Sequence, residues 1–365
     1  MTKKELPGKL LYIFVFCITV IFCGISVAAI IPSYHSFEGN LVVEELNFTY
    51  AGLQPNQLFL QKIRGIDKIL VEGEQFITLN GTFESQNNPK LNQLKSITIE
   101  LPSDKSKWSI TPVQTSDINQ LTLEELRLQN NTKVAHLSYY SFRNRLSLEL
   151  QPGISPNDLN LYLGSQPLRV IVEGYRILEL DTNDSVNSPN ELEFIFKPTQ
   201  KRLKVDLPGK SNLYIVLSEI DDSSQWFRGG LKVKDVLFYR LDKTGVNIKD
   251  NLYHSTIIEG VLTMAERELS VKKNQFLIIG KFGINSLQYL LINHQKPEGL
   301  EVGVAGKSKK IQVGLDYKSP AKSIQASFLN EFLPQDITIA ILAFCAAVVS
   351  YLLFWLIDNY TKLFT

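Results

Sequence analysis

Leu10–Ile31 reads LLYIFVFCITVIFCGISVAAII, 22 residues without a charge. Wound as a helix at about 1.5 Å per residue, it covers the ~30 Å hydrocarbon thickness of a bilayer. Pro32 follows and stops it. Near the other end, Ile337–Ile357 (ITIAILAFCAAVVSYLLFWLI) is equally uncharged, bracketed by Asp336 and Asp358, with Trp355 where an indole favours the interface. In lipid each backbone N–H and C=O needs a partner within its own segment, so both stretches are expected as transmembrane helices.

Lys3, Lys4 and Lys9 precede the first span, opposed by Glu5 alone. Positive charge favours the cytoplasmic side, so residues 1–9 are expected inside. A second crossing at 337–357 returns residues 358–365 to the cytoplasm and leaves 32–336 outside. The competing reading is a cleaved leader, with Ser26-Val27-Ala28 as the cleavage site, but the apolar run is long for one. A lipoprotein is disfavoured because Cys23 follows Phe22 rather than a small residue.

Small residues recur four apart in both spans: Gly24 and Ala28, Ala343 and Ala347, Ala346 and Ser350. Such spacing lets helix backbones approach, so these residues are expected to form a packing face, either between the spans or against a partner. Neither span holds an ionisable side chain, which argues against an ion pathway.

The net charge of +1 gives no reason to expect nucleic acid as a partner. All three cysteines, Cys17, Cys23 and Cys345, fall within the spans. The intervening region therefore has no disulfide and no cysteine metal site. A large exported region without disulfides fits the plasma membrane of a bacterium.

Between the spans, short runs alternate apolar and polar residues, as strands half-buried in a sheet do. Ser96–Leu101, Leu159–Leu163, Glu191–Phe196, Leu203–Leu207 and Ile311–Leu315 are examples. Two segments read instead as helical: Ile284–Leu291, and a juxtamembrane stretch at 321–336 with Ile324, Phe328 and Phe332 four apart.

The region also resembles itself. Leu41-Val-Val-Glu-Glu-Leu-Asn-Phe48 matches Leu121–Leu128 (LTLEELRL) and, more loosely, Leu231–Phe238 (LKVKDVLF). In each, a charged pair interrupts the alternation, which resumes one residue out of phase; a β-bulge there returns the apolar set to its face. A later element recurs in the same order: Leu70-Val-Glu-Gly73, Ile171-Val-Glu-Gly174 and Ile257-Ile-Glu-Gly260. The fold expected is therefore an all-β extracytoplasmic region of repeated β-sandwich or jelly-roll-like modules, at 37–114, 115–225 and 226–320, between two transmembrane helices.

Searches for chemistry end without a constellation. Glu301–Ser308 resembles the end of a P-loop, but Glu301 replaces the first glycine and a strand follows where the phosphate-binding helix belongs; a glycine-rich turn is expected. Ser319-Pro-Ala-Lys322 has the S-x-x-K spacing without its companion elements and reads as a linker. His35, His136, His254 and His294 are scattered, so no metal and no cofactor is expected. Glu72, Glu173 and Glu259 read as strand ends, each beside a glycine that makes a turn. Lys197, Lys201, Arg202 and Lys204 read as a solvated face. Asn47, Asn80, Asn130 and Asn183 stand in glycosylation sequons that chance alone supplies in so Asn-rich a chain. Trp108 and Trp226 are the candidates for stacking against a glycan.

The function expected is non-enzymatic: a two-span envelope protein whose β region is a binding, scaffolding or accessory-subunit surface. Its partners would be the lipid bilayer and a membrane or envelope protein, or a second copy of itself. A carbohydrate-binding or carbohydrate-processing protein is the alternative, and a transporter or channel subunit a weaker one.

Overall fold

A computed structural model describes residues 5–114, 121–180, 190–218, 223–242, 252–280, 283–294, 296–316 and 319–364. Helix α1 (Glu5–Ile30) opens it and α2 (Gln335–Phe364) closes it, each running past its uncharged core toward the chain terminus. Antiparallel strands fill the space between. Strand takes 57% of the chain and helix 17%, so the architecture is a β-rich region between two terminal helices.

The Leu41–Phe48 stretch organises the sheets. Strand His35–Val43 runs between Ile257–Met264 and Gly299–Ser308. Past Glu44 the same chain continues as Glu45–Tyr50, now between Lys133–Tyr140 and Leu231–Leu237. Strand Leu231–Leu237 is shared in the same way, since Leu231 and Lys232 pair with Ile284–Asn293 and Val233 onward with Glu45–Tyr50. These two crossings link the strands into an array of 17 among the described residues. A four-stranded sheet (Gln57–Ile63, Thr122–Leu128, Asn157–Tyr162, Arg202–Leu207) and a three-stranded one (Phe276–Ile279, Lys310–Asp316, Ser319–Gln325) complete the core. Phe48 of the large array meets Phe59 of the four-stranded sheet edge to face at 5.7 Å, the packing of two sheets across a sandwich. Buried residues from Phe37 to Ala326 form one cluster.

The charged pairs behave in two ways. In Thr122–Leu128 the register against Asn157–Tyr162 skips Glu124, so Leu123 and Leu126 are both buried. In Leu231–Leu237, Asp235 and Val236 together oppose Phe48, with Asp235 at φ +54°. Both are bulges that restore the apolar face. In the first copy, at Glu44, the chain changes sheet instead.

The module boundaries do not divide the hydrogen bonding. Ser211–Leu217, Ile66–Gly73, Lys107–Pro112, Leu168–Glu173, Glu191–Pro198 and Gln75–Glu84 are successive neighbours, interleaving 37–114 with 115–225. Residues 115–120, where the first boundary was expected, lie outside the described residues. The Glu-Gly elements at 72–73 and 173–174 flank one strand, Lys107–Pro112, as lateral neighbours in one sheet.

Both helical readings between the spans give way to strand. Ile284–Asn293 buries Ile284, Leu287, Leu290 and Ile292; bulges shift its phase twice, so a strand mimics helical spacing. In the juxtamembrane stretch Ser319–Gln325 is strand, Phe328–Glu331 a single 3-10 turn, and α2 begins at Gln335. The same finding replaces the linker expected at Ser319–Lys322. Glu301–Ser308 lies within strand Gly299–Ser308 rather than a turn.

Gly73 sits at φ +134°, where an added Cβ would lie 2.5 Å from the Lys210 carbonyl oxygen. A Cβ on Gly209 meets nothing nearer than 3.8 Å. In denaturant melts of the purified protein, Gly73→Ala is expected to cost more than about 1 kcal/mol and Gly209→Ala to change stability little.

Candidate functional site

The two apolar helices are the part of the molecule whose chemistry dictates a location. In each candidate span, Ile13–Ile30 and Asp336–Trp355, only 11% of the residues are buried inside the protein. A core helix of a soluble fold hides its apolar surface; these leave theirs open, at a cost in water of roughly 25 cal/mol per Å². The chain is thereby marked as a membrane protein.

The helices pack side by side through one face each. On α1 the covered positions include Val15, Thr19, Phe22, Ser26 and Ala29; on α2 they include Thr338, Leu342, Cys345, Val349 and Leu352. Steps of three and four keep each set on one stripe. Phe22 and Phe344 meet edge to face at 5.9 Å. The hydroxyls in these helices are satisfied locally: Thr19 Oγ1 donates to the Val15 carbonyl and Ser26 Oγ to that of Phe22, both at 2.9 Å.

The small residues fall elsewhere. Ala343, Ala346, Ala347 and Ser350 are exposed on α2, away from the seam. Gly24 is exposed on α1, with nothing within 4 Å of an added Cβ, and Ala28 is half-buried. Spacing alone gave the stripe but not its direction: the seam mixes small and large side chains, and the small stripe of α2 is turned outward.

Where the helices meet the β region, the chain is clamped. Pro32 forms a β-bridge with Ser327. Ser33 N–H donates to the Ala326 carbonyl at 3.1 Å, and Phe328 N–H to that of Ile31 at 3.0 Å. His35 Nε2 lies 2.8 Å from Ser33 Oγ and 3.0 Å from the Ser327 carbonyl oxygen. Ser327 and Asn330 cap the turn that leads into α2. Phe328 and Phe332, both exposed, meet edge to face at 5.5 Å, and Lys309 Nζ stands 4.9 Å over the Tyr34 ring. Aromatic rings at this level match the belt of a membrane interface.

The remaining sequence candidates disperse. Trp108 is 1% exposed and Trp226 6%, so both rings are core and neither offers a face to a glycan. Glu72 and Glu173 flank Lys107 across neighbouring strands, Lys107 Nζ lying 2.8 Å from Glu173. Glu259 is on Ile257–Met264, in the other part of the array, beyond the crossing at Glu44. Lys197, Lys201, Arg202 and Lys204 are exposed, with Arg202 paired to Glu124 and Lys204 to Asp158 and Asp206. Asn47 is buried and engaged by hydrogen bonds, and Asn183 lies outside the described residues.

One polar cluster went unread in the sequence. At the crossing of the first strand, His136 sits in a bulge at φ +52°. Its N–H donates to Asn47 Oδ1 at 2.8 Å, and its Nδ1 lies 2.9 Å from Glu45 Oε1. Glu45 is 6% exposed, and Thr256 Oγ1 donates to its carbonyl at 2.6 Å. Burial works to raise the Glu45 carboxyl, but hydrogen bonds from His136 and Asn47 prevail and hold it below the usual 4.5. The same carboxylate holds the imidazole above its ordinary 6.5, with Glu149 adding to the effect and Lys210 opposing it. The partners are far apart in sequence, so only the fold brings them together.

Comparison with known proteins finds no matching family model and no matching curated protein.

The pair's contribution to stability has two limits. The raised histidine stabilises fully below pH 6.5 and loses its effect as pH rises through its folded value. The depressed carboxylate stabilises above pH 4.5 and loses its effect as pH falls through its own. Melting temperature is therefore expected to carry a component that is largest between about pH 5 and 6. His136→Gln should remove it, flattening the profile between pH 6 and 8.

Proposed function

We propose that this chain is a two-span scaffold or accessory subunit of a bacterial plasma membrane. Residues 1–9 and 358–365 lie in the cytoplasm and 32–336 outside it. Its β region is a binding surface held at a fixed height and angle, and its spans dock against a membrane partner or a second copy.

The observation that supports docking is the outward stripe of Ala343, Ala346, Ala347 and Ser350, left uncovered by α1. Small residues on a lipid-facing side give up dispersion contact with acyl chains, whereas a second helix can approach them closely. The β region favours a membrane contact over sheet-edge assembly. Its outer strands Arg202–Leu207 and Arg267–Lys272 each carry three charged side chains, and Ser319–Gln325 carries Pro320, features that oppose edge-to-edge pairing.

The clamp at Pro32 and Ser327 fits the same role. A receptor on a flexible stalk sweeps a volume, but a body fixed through two adjoining spans presents one orientation.

Cysteine cross-linking in native membranes tests the docking face, in a chain whose Cys17, Cys23 and Cys345 are replaced by alanine. Ala347→Cys is expected to form an intermolecular adduct in good yield and Val349→Cys, in the seam, at least fivefold less. Equal yields, or none at Ala347→Cys, would remove the docking role.

A further inference from the structure

The sheet entered just past the clamp carries a concavity on its outer face. Here Ile257–Met264, His35–Val43, Gly299–Ser308 and Ile284–Asn293 run side by side. Ala305 is a short side chain in the concavity's lining, with the longer Glu38, Gln288 and Lys307 around it. The result is an open cleft of about 440 Å³, starting at Ser36 just past the clamp and lined by Glu38, Thr263, Asn285, Gln288 and Lys307.

Glycine also shapes the surface beside the cleft. A Cβ on Gly303 would lie 2.3 Å from the Tyr289 ring, so its absence lets Tyr289 lie across the strand. The ring is then pinned. Tyr289 OH donates to Glu301 Oε1 at 3.2 Å, and Asn40 Nδ2 donates to the same oxygen at 3.0 Å. Charges elsewhere on the β region are commonly satisfied across strands, as in Lys107–Glu173 at 2.8 Å and Lys210–Glu149 at 2.9 Å. Glu38, Thr263, Asn285, Gln288 and Lys307 form no side-chain hydrogen bond or ion pair among the described residues.

We propose that this cleft binds a neutral polyhydroxylated ligand, a short run of carbohydrate. Each amide, Asn285 and Gln288, offers a donor and an acceptor on one group, the pairing that neighbouring hydroxyls require. Glu38 adds an acceptor and Lys307 donors, and their opposite signs cancel, which favours neither a phosphate nor a polycation. Tyr289 lies beside the lining, paired with Gly303 next to the Ala305 row, and its ring would extend the site with an apolar surface for the C–H face of a sugar. Concavity with a few convergent polar groups is the general form of a small-ligand site. This places the stacking ring at Tyr289 rather than at either buried tryptophan.

The test uses the full chain exchanged into amphipol, to exclude glycosidic detergents. Its probes are a panel of neutral tri- and tetrasaccharides, followed by calorimetry, and nanodiscs with and without a diglucosyl lipid, followed by surface binding. At least one saccharide is expected to bind saturably. Ala305→Trp, which fills the cleft floor, and Asn285→Ala with Gln288→Ala should each weaken it tenfold or more, while Leu53→Ala, on an exposed loop, leaves it unchanged. Binding of the free sugars assigns the ligand to a soluble or wall polysaccharide, and binding confined to the glycolipid discs assigns it to a lipid headgroup. Absence of binding in both formats, or binding that survives both cleft variants, overturns the proposal.

Discussion

Two apolar helices that water disfavours and lipid accommodates set the boundary conditions for the chain. Packed helices lie about 8–10 Å apart, so the polypeptide must leave one and enter the other at neighbouring points. The β region meets that demand directly. Its entry and exit are bridged at Pro32 and Ser327, and backbone hydrogen bonds join Ser33 to Ala326 and Phe328 to Ile31. Whatever the surface beyond does, it does from a fixed base.

From that base the first strand carries the structure outward. His35 to Tyr50 spans roughly 50 Å at 3.3 Å per residue, less what the break at Glu44 takes away. It is an inner strand of both sheets that it visits, so a slip in its register would misplace neighbours in each. At the changeover the structure uses polar groups. Asn47 and Glu45 hold the bulged backbone and ring of His136, where an apolar cluster would leave bulged amides unpaired. A buried carboxylate at such a point fixes geometry more than it adds stability, because its desolvation offsets much of the pairing.

How much of this was legible in the sequence depends on range. Uncharged runs of 22 and 21 residues placed both terminal apolar helices, since hydropathy is read locally. Period-two alternation gave strands such as Ser96–Leu101 and Glu191–Phe196, the latter running on to Pro198, and the charged pairs gave the bulges at Glu124 and Asp235. Strand order was hidden. Sequence similarity between Leu70–Gly73 and Ile171–Gly174 reads as repetition whether the copies sit in separate modules or beside one strand, as they do. Burial of Trp108 and Trp226, the outward turn of Ala343 and Ala347, and the meeting of Glu45 with His136 all depend on contacts between distant residues. The cleft is the clearest case, because Glu38, Gln288 and Ala305 look like ordinary strand residues until four strands are laid side by side.

Sidedness is the point on which the account stands most directly, and labelling with a membrane-impermeant maleimide measures it. In a chain without its natural cysteines, Leu53→Cys lies on the exposed loop after Tyr50 and Thr365→Cys at the far terminus. The account predicts that intact cells or spheroplasts label the first and not the second, and that the second reacts only after permeabilisation. Labelling of Thr365→Cys in sealed cells, or protection of Leu53→Cys until lysis, would contradict it.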